Sequence, residues 1–457
     1  MTSLTQSLGS FATRPINHPQ KDAALEIAKT GFIDTIATMF AGSNEKVVEI
    51  LSAHYEQFAS PVAEAPVPFL QKMMPAQFAA CISGTAAHAL DFDDVALSGH
   101  PSTVLVPAIL AEGYLQNITG LDALEAYLVG YEVWATLIAR EPDQYHLKGW
   151  HPTGVLGTVG VAAAVSRIKK LDAKTASSAL AIAASMASGL VSNFGSMTKP
   201  FHAGRAAANG IEAVRLAEMG LTAAPDVFEH PAGFLYAISP NNHANLKNEA
   251  APMGSHLFIL DAGLCIKQYP VCYSGHRAID AIINLMKSNS IKLDEIEKIT
   301  ATVGKAEASM LRNHTPKTGL EAKFSLEFAI VCALLKQNVG LGELNDEFVL
   351  RPDVQSLFSK VEIEITEEQC PIDPAFALTN RVVIHLKNSQ QLDSGEIRFA
   401  KGNSKNPLSV KELHAKFIDC FRIFKNNSKN SEIKAEELFE KLSGLNQLKS
   451  LRTLFKP

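Results

Sequence analysis

Cysteine is sparse in this chain, six in 457 residues, and the six stand at positions 81, 265, 272, 332, 370 and 420 without a C-x-x-C pair. That spacing suggests neither a zinc ribbon nor a regular disulfide framework, and a reducing compartment fits it best. It supplies no evident thiolate set for an iron–sulfur cluster either. An excess of one charge is also missing. Lys plus Arg is 42 against 47 for Asp plus Glu, a net of −5, which argues against a nucleic-acid footprint and a polybasic membrane surface. Long apolar runs are lacking: Ala173 to Met197 is weakly charged but rich in Ala, Ser and Gly, too polar for a span of about 20 apolar residues. The N-terminus, MTSLTQSLGSFATRP, has no charged start leading into an apolar core, so the reading is a cytoplasmic protein. Neither H-E-x-x-H, an EF-hand loop, a G-x-G-x-x-G after a strand nor a Walker A motif occurs. Metal catalysis and nucleotide use therefore lack support, and no metal or other cofactor is expected.

What is present is an ordinary globular composition, 47% hydrophobic and 19% charged, with room for a sizeable core. Apolar residues recur at helical spacing over Asp22–Ala41, Ala76–Leu90, Val104–Thr119, Asp122–Arg140, Gly154–Lys170 and Arg205–Met219, and Asp172 is placed to cap a further Ala-rich helix. Proline-rich Pro61–Pro75 reads as a surface loop. From Gly263 the pattern changes: β-type runs at Ile296–Val303, Val361–Ile365 and Arg381–Leu386 stand among helices at Ser274–Ser288 and Phe324–Gln337. The fold class is thus mainly α, with a helical domain over 1–262 and 401–457 and a smaller α+β domain over 263–400. Ser409 is a candidate cap for a helix to about Asn426, Ala435–Phe455 is helical, and the Lys/Asn-rich Asn426–Lys434 reads as a solvated loop.

Chemistry concentrates where the helical pattern breaks. In Ala86–Pro107, AAHALDFDDVALSGHPSTVLVP, the residues Asp91, Asp93, Asp94 and His100 follow an Ala-rich helix. A helix C-terminus already carries partial negative charge, so these acids need cations or bound protons to offset them, unless the turn is simply solvated. Two polar loops follow: Glu141–Thr153 with Tyr145, His146, Lys148, Trp150 and His151, and Asn193–Gly204 with Lys199 and His202. A further group is Lys267, Tyr269, Cys272 and His276, with Lys323 beyond it. Bases and cations with few strong nucleophiles suit removal of a proton next to a carboxylate, with Lys and His holding the acid groups of an anionic substrate. Cys272 as a nucleophile near His276 is the weaker alternative, since no motif in the sequence marks an orienting residue or an oxyanion loop for it.

The segments HALDFDD…GHPS, GWHPTGVLGT, NFGSMTKPFHAGRAAANGIEA, IKQYPVCYSGHRAIDA and EAKFSLEFA, in that order over most of the chain, resemble the MmgE/PrpD family. The family includes 2-methylcitrate dehydratase, cis-aconitate decarboxylase and iminodisuccinate epimerase, which work on small polycarboxylates without metal or organic cofactor. The resemblance implies a large helical domain from both chain ends, a smaller α+β lid, an active site at their junction and a homodimer. It places Asp91, His100, His151, Lys199, Lys267 and His276 on site positions. His151 or a neighbouring group would transfer the proton, and Lys199, Lys267 and His276 would hold carboxylates. His202 and Phe328 would add to substrate binding, and Tyr145 could supply a phenol. Val95 and Phe328 stand where the decarboxylases have Thr and a site Tyr, so two hydroxyls are missing. The implied activity is a lyase of dehydratase type. An epimerase is the alternative, followed by a decarboxylase and by an inactive protein that binds polycarboxylates.

Overall fold

Local chemistry decides where helices begin. Asp172 accepts hydrogen bonds from the backbone N–H groups of Lys174 and Thr175 and starts the helix Ala173–Met186, as its position predicts. Thr119 and Asp122 form a reciprocal capping box at Gly120–Ile138. The structure, a computed structural model, describes residues 3–58, 63–247, 253–371, 376–424 and 429–455. Contacts divide the chain into two units, Met1–Leu264 with Val410–Pro457, and Cys265–Ser409.

In the first unit the helices are α1 (Leu4–Thr13), α2 (Lys21–Gly42), α3 (Lys46–Glu56), α4 (Ala76–Ala89), α5 (Pro101–Gln116), α6 (Gly120–Ile138), α7 (Pro152–Ile168), α8 (Ala173–Met186) and α9 (Thr198–Glu218). Small residues let α4 and α9 approach until side chains no longer fit between them. A Cβ on Gly204 would lie 2.1 Å from the carbonyl oxygen of Cys81, and one on Gly84 would lie 3.1 Å from the Cα of Gly204. This crossing brings the end of α4 and the start of α9 together. The helix Val410–Ile423 packs back on α2, with Phe421 stacked on Phe40 at 4.3 Å between ring centroids.

Two expectations need correction here. The proline-rich loop contains a small antiparallel hairpin, β1 (Ala65–Val67) and β2 (Lys72–Met74), with Ala65 opposite Met74. Pro66 is tolerated because a two-stranded ladder has free edges that need no further donor. Of Asn426–Lys434, residues 426–428 lie outside the described residues, and a helix, not a loop, runs over Lys429–Ser443, where Glu, Lys and Ala favour it.

The second unit is built on a mixed sheet in the order β4-β3-β5-β6. β3 (Ile296–Gly304) runs parallel to β4 (Val361–Thr366) and antiparallel to β5 (Arg381–Leu386), which pairs with β6 (Gln391–Asp393). The parallel pair requires a crossover, and the helix Leu326–Lys336 lies within it. Ile299, Ala301, Val382 and Ile384 of the sheet share a core with Ile279 and Ile282 of the helix His276–Ser288 and with Phe328 and Val331. Among the described residues no helix is long and apolar enough to cross a membrane.

Candidate active site

α4 stops at Ala89, and Asp91 takes a left-handed conformation at φ 53°, a position usually filled by Gly or Asn because a Cβ is strained there. A carboxylate thus sits at the negative end of a helix on strained backbone. The turn is not solvated: Asp91, Asp93 and Asp94 are 4%, 0% and 0% exposed.

Each residue of the Asp91–Asp94 turn is held from a different place. Lys199 of α9 forms an ion pair with Asp91. Lys416, from the C-terminal helix, donates to the carbonyl of Phe92 at 2.8 Å, lies 3.9 Å from the Phe92 ring centroid and pairs with Asp34 of α2 at 2.6 Å. Asp93 sits between two imidazoles, with the Nδ1 atoms of His88 and His100 at 2.9 and 3.0 Å. Asp94 accepts from the Ser102 hydroxyl at 2.9 Å, and Ser102 also shares a 2.6 Å hydrogen bond with Tyr127.

The protonation states follow. Burial pushes Asp93 up, but the two imidazoles outweigh it and hold the carboxyl well below its ordinary range. Burial, reinforced by the charges of Asp34 and Asp93, pushes Asp94 well above it. Burial also takes His88 down to about 3. The offsets that the acidic turn requires are therefore one ammonium on Asp91, imidazole N–H groups on Asp93 and a proton on Asp94.

The histidine face has a sequence logic of its own. His100 and His151 are N-cap residues of α5 and α7, and each precedes the proline that opens its helix. Proline suits the first helical position, where the missing N–H is no loss, and pushes the preceding residue out of helical conformation. The backbone N–H of His100 donates to the Thr153 hydroxyl of α7 at 3.2 Å, tying the two helix starts together. Lys199 and His202 were expected on a loop through Gly204, but α9 begins at Thr198 and accommodates Pro200 in its first turn. At i and i+3 the two side chains share a helix face.

His151 and His202 meet Nδ1 to Nδ1 at 3.2 Å. The Phe194 ring stands edge-on to His151 at 4.8 Å, the Lys199 ammonium lies 5.3 Å from its centroid, and His146 lies 6.2 Å away. Burial and then the charge on Lys199 lower His146 and His202 to about 4 and His151 well below its ordinary value. At neutral pH these three imidazoles are uncharged. Tyr145 lies in the 3-10 turn Tyr145–Lys148, with a buried hydroxyl that has no hydrogen-bond partner among the described residues and a pKa raised by burial and then by Glu141.

The remaining expected residues belong to the second unit. Lys267 and His276 are 1% and 0% exposed. His276 contacts the Val271 carbonyl through Nε2 at 3.2 Å and packs against Tyr269 and Tyr273. The Tyr269 hydroxyl donates to Asp280 at 2.7 Å, and the Cys272 N–H donates to the Lys323 carbonyl at 2.8 Å. Phe328 is fully buried, edge-on to Phe348 at 6.2 Å in the core of that unit.

Sequence reasoning did not single out His88, Phe194, Asp34 or Lys416. The signal for His88 was weak but present: it lies three residues before Asp91, on the last turn of a helix otherwise made of small apolar residues. Lys416 gave no local signal, since its partner Phe92 is 324 residues away. Among the described residues His88, Asp93 and His100 form the group whose donor atoms, within 4.8 Å of one another, could hold a metal ion. The Nδ1 atoms of the two histidines stand at hydrogen-bond distances from acceptors, an arrangement that already satisfies those two nitrogens.

Comparison with known proteins agrees with the resemblance carried by the motifs. The MmgE/PrpD N-terminal domain matches residues 6–247 and the MmgE/PrpD C-terminal domain matches residues 269–441. The chain is 30% identical to a cis-aconitate decarboxylase of Homo sapiens over 411 residues, 87% of this chain and 83% of that protein. It is 28% identical to the cis-aconitate decarboxylase of Mus musculus, covering 91% and 86% of the two chains, and 25% identical to one from Aspergillus terreus, covering 94% and 90%.

Proposed function

This chain belongs to the MmgE/PrpD family, and from that premise we propose that it is a cofactor-independent acid–base lyase that removes a proton next to a carboxylate of a small di- or tricarboxylate. One observation carries the reading: a buried Asp91–Lys199 pair is walled by imidazoles, two of which cap helix N-termini. Abstracting a proton next to a carboxylate builds negative charge on an enediolate, and the barrier falls where fixed positive charge meets that oxygen. Lys199 and the starts of α5, α7 and α9 supply such charge. Burial, reinforced by the charge on Lys199, keeps His88, His146, His151 and His202 uncharged at neutral pH, ready to accept a proton. A bound polyanion opposes the charge of Lys199 and raises the imidazole pKa values toward the range useful for a base.

The dehydratase-type reading takes loss of hydroxide as the fate of the carbanion. A second reading, decarboxylation of cis-aconitate, is favoured by the names of the relatives at 25 to 30% identity. Against it stand Val95 and Phe328, which offer no hydroxyl to a substrate or a carbanion. Return of the proton to the other face would make an epimerase. Proton NMR of the purified protein in D2O with methylcitrate, citrate, cis-aconitate, malate and iminodisuccinate separates these fates. A new allylic methyl singlet from methylcitrate or a new vinyl signal from citrate supports the dehydratase, itaconate from cis-aconitate supports the decarboxylase, and deuterium exchange without a new product supports the epimerase. No change in any of the five acids overturns the enzyme reading.

A further inference from the structure

The imidazole of His100 faces two groups that can only accept. Its Nδ1 lies 2.9 Å from the backbone carbonyl oxygen of Asp94 and 3.0 Å from Oδ2 of Asp93, whose carboxyl is ionised. A ring carrying one proton must carry it on Nδ1, because a lone pair there would face two further lone pairs. The other nitrogen, Nε2, is then left as an acceptor, 4.0 Å from Oδ1 of Asp91, the oxygen paired with Lys199.

His88 applies the same constraint to Asp93. Its Nδ1 lies 2.9 and 3.0 Å from the two oxygens of that carboxylate, and its Nε2 is buried without a hydrogen-bond partner among the described residues. With two imidazole N–H groups aimed at it, Asp93 is held as an acceptor and its orientation is fixed. Its place between the rings, which lie 4.4 Å apart, is set by α4 on one side and by the start of α5 on the other.

Resting on the proton-abstraction reading, we propose that Asp93 and His88 are positioning residues that lock His100 in its Nδ1–H tautomer, making Nε2 of His100 the atom that takes the substrate proton. His151 and His202 do not share this property. Their Nδ1 atoms face each other, so either ring can donate, and among the described residues no carboxylate or backbone carbonyl stands at these two nitrogens to select between the arrangements.

The test needs no substrate for its first arm. Nitrogen-15 NMR of the full chain labelled at histidine, treated with EDTA, with His100 and His88 assigned from His100→Gln and His88→Gln, reports which ring nitrogen carries the proton. The proposal requires protonated Nδ1 and unprotonated Nε2 at His100 in the neutral form, and a change of that pattern in Asp93→Asn, whose amide can donate. A neutral His100 protonated at Nε2 overturns it. So does an unmodified protein in which one equivalent of Zn2+ displaces both Nδ1 protons, because the group would then be a cation site. The second arm uses whichever acid the wild type turns over. Asp93→Asn should lower kcat on the order of 10²- to 10⁴-fold with KM changed far less, and wild-type kcat in that variant overturns the proposal. His88→Ala should lower kcat about tenfold, while His88→Gln, which keeps an N–H donor, should restore most of it; equal loss in both shows mere space-filling and removes His88 from the proposal. Failure of the wild type on every acid counts against the function, whereas the tautomer spectrum judges the lock alone.

Discussion

Two histidine groups occupy the helical unit and are held in opposite ways. Around Asp93 every proton has an assigned place: an ionised carboxylate and a backbone carbonyl fix the tautomers of His88 and His100. Around His151 the partner is another histidine, and Phe194 supplies only a ring edge. A fixed tautomer suits a group that must present one nitrogen to a C–H bond. An imidazole pair able to pass a proton between its members suits delivery or removal of that proton. Lys199 acts on both groups, since its charge adds to burial in lowering His88, His151 and His202 alike.

Lys199→Met should break the comparison most severely. It removes the ammonium paired with the buried Asp91 carboxylate, costing about 3–5 kcal/mol in denaturant unfolding, and with it the charge that the proposed mechanism sets against the enediolate. Turnover should fall by about 10³-fold or more. Retained activity would remove Lys199 from the mechanism.

His151→Ala comes next, with a loss of about 10²-fold or more in kcat and an unchanged far-UV spectrum. Activity equal to the wild type would leave the Asp93 group as the only proton carrier. Lys416→Met acts at a distance. The turn loses its tether at Phe92 while Asp34 loses its cation, so stability should fall by about 3–5 kcal/mol and kcat by about tenfold through misplacement of Asp91 and Asp93. Wild-type kcat with lowered stability would show that the tether is purely structural.

The smallest effect is on the pH dependence of stability. His88, His146, His151 and His202 have folded pKa values below the unfolded value of about 6.5. As pH falls below that value the unfolded chain binds more protons, and stability declines. Three carboxyls oppose them. Glu132, raised to about 7 by burial, Asp94 and Asp280, both also raised by burial, hold protons in the folded state that the unfolded chain releases above about 4. Their contribution is lost as pH rises, for Glu132 through about 7. The four histidines outnumber the three carboxyls on the acid side, so Tm should peak near pH 6 to 7, and Glu132→Gln should flatten the alkaline limb. A Tm that climbs steadily from pH 5 to 8 would contradict these assignments.

The helical framework was legible because it is written in local spacing and in caps such as Asp172. The candidate site was legible in part for the same reason: GHPS and GWHPT each announce a helix start with a histidine at its cap. The acidic turn announced that something had to neutralise it. What supplies the neutralisation could not be read locally, because Lys199 and Lys416 reach Asp91 and Phe92 across 108 and 324 residues. Pro200 concealed that Lys199 and His202 are helical, since a proline opens a helix as readily as it interrupts a loop. His88 was hidden by its surroundings, being a polar residue on an Ala-rich helix whose value depends on where the following turn places Asp93.

The most direct test of the central claim is proton NMR in D2O of EDTA-treated protein with the acid that the panel identifies, run beside Lys199→Met. Cofactor-independent proton chemistry predicts that conversion or deuterium incorporation proceeds at the same rate with and without chelator and disappears in the variant. Activity that the chelator abolishes and a divalent cation restores would contradict the account.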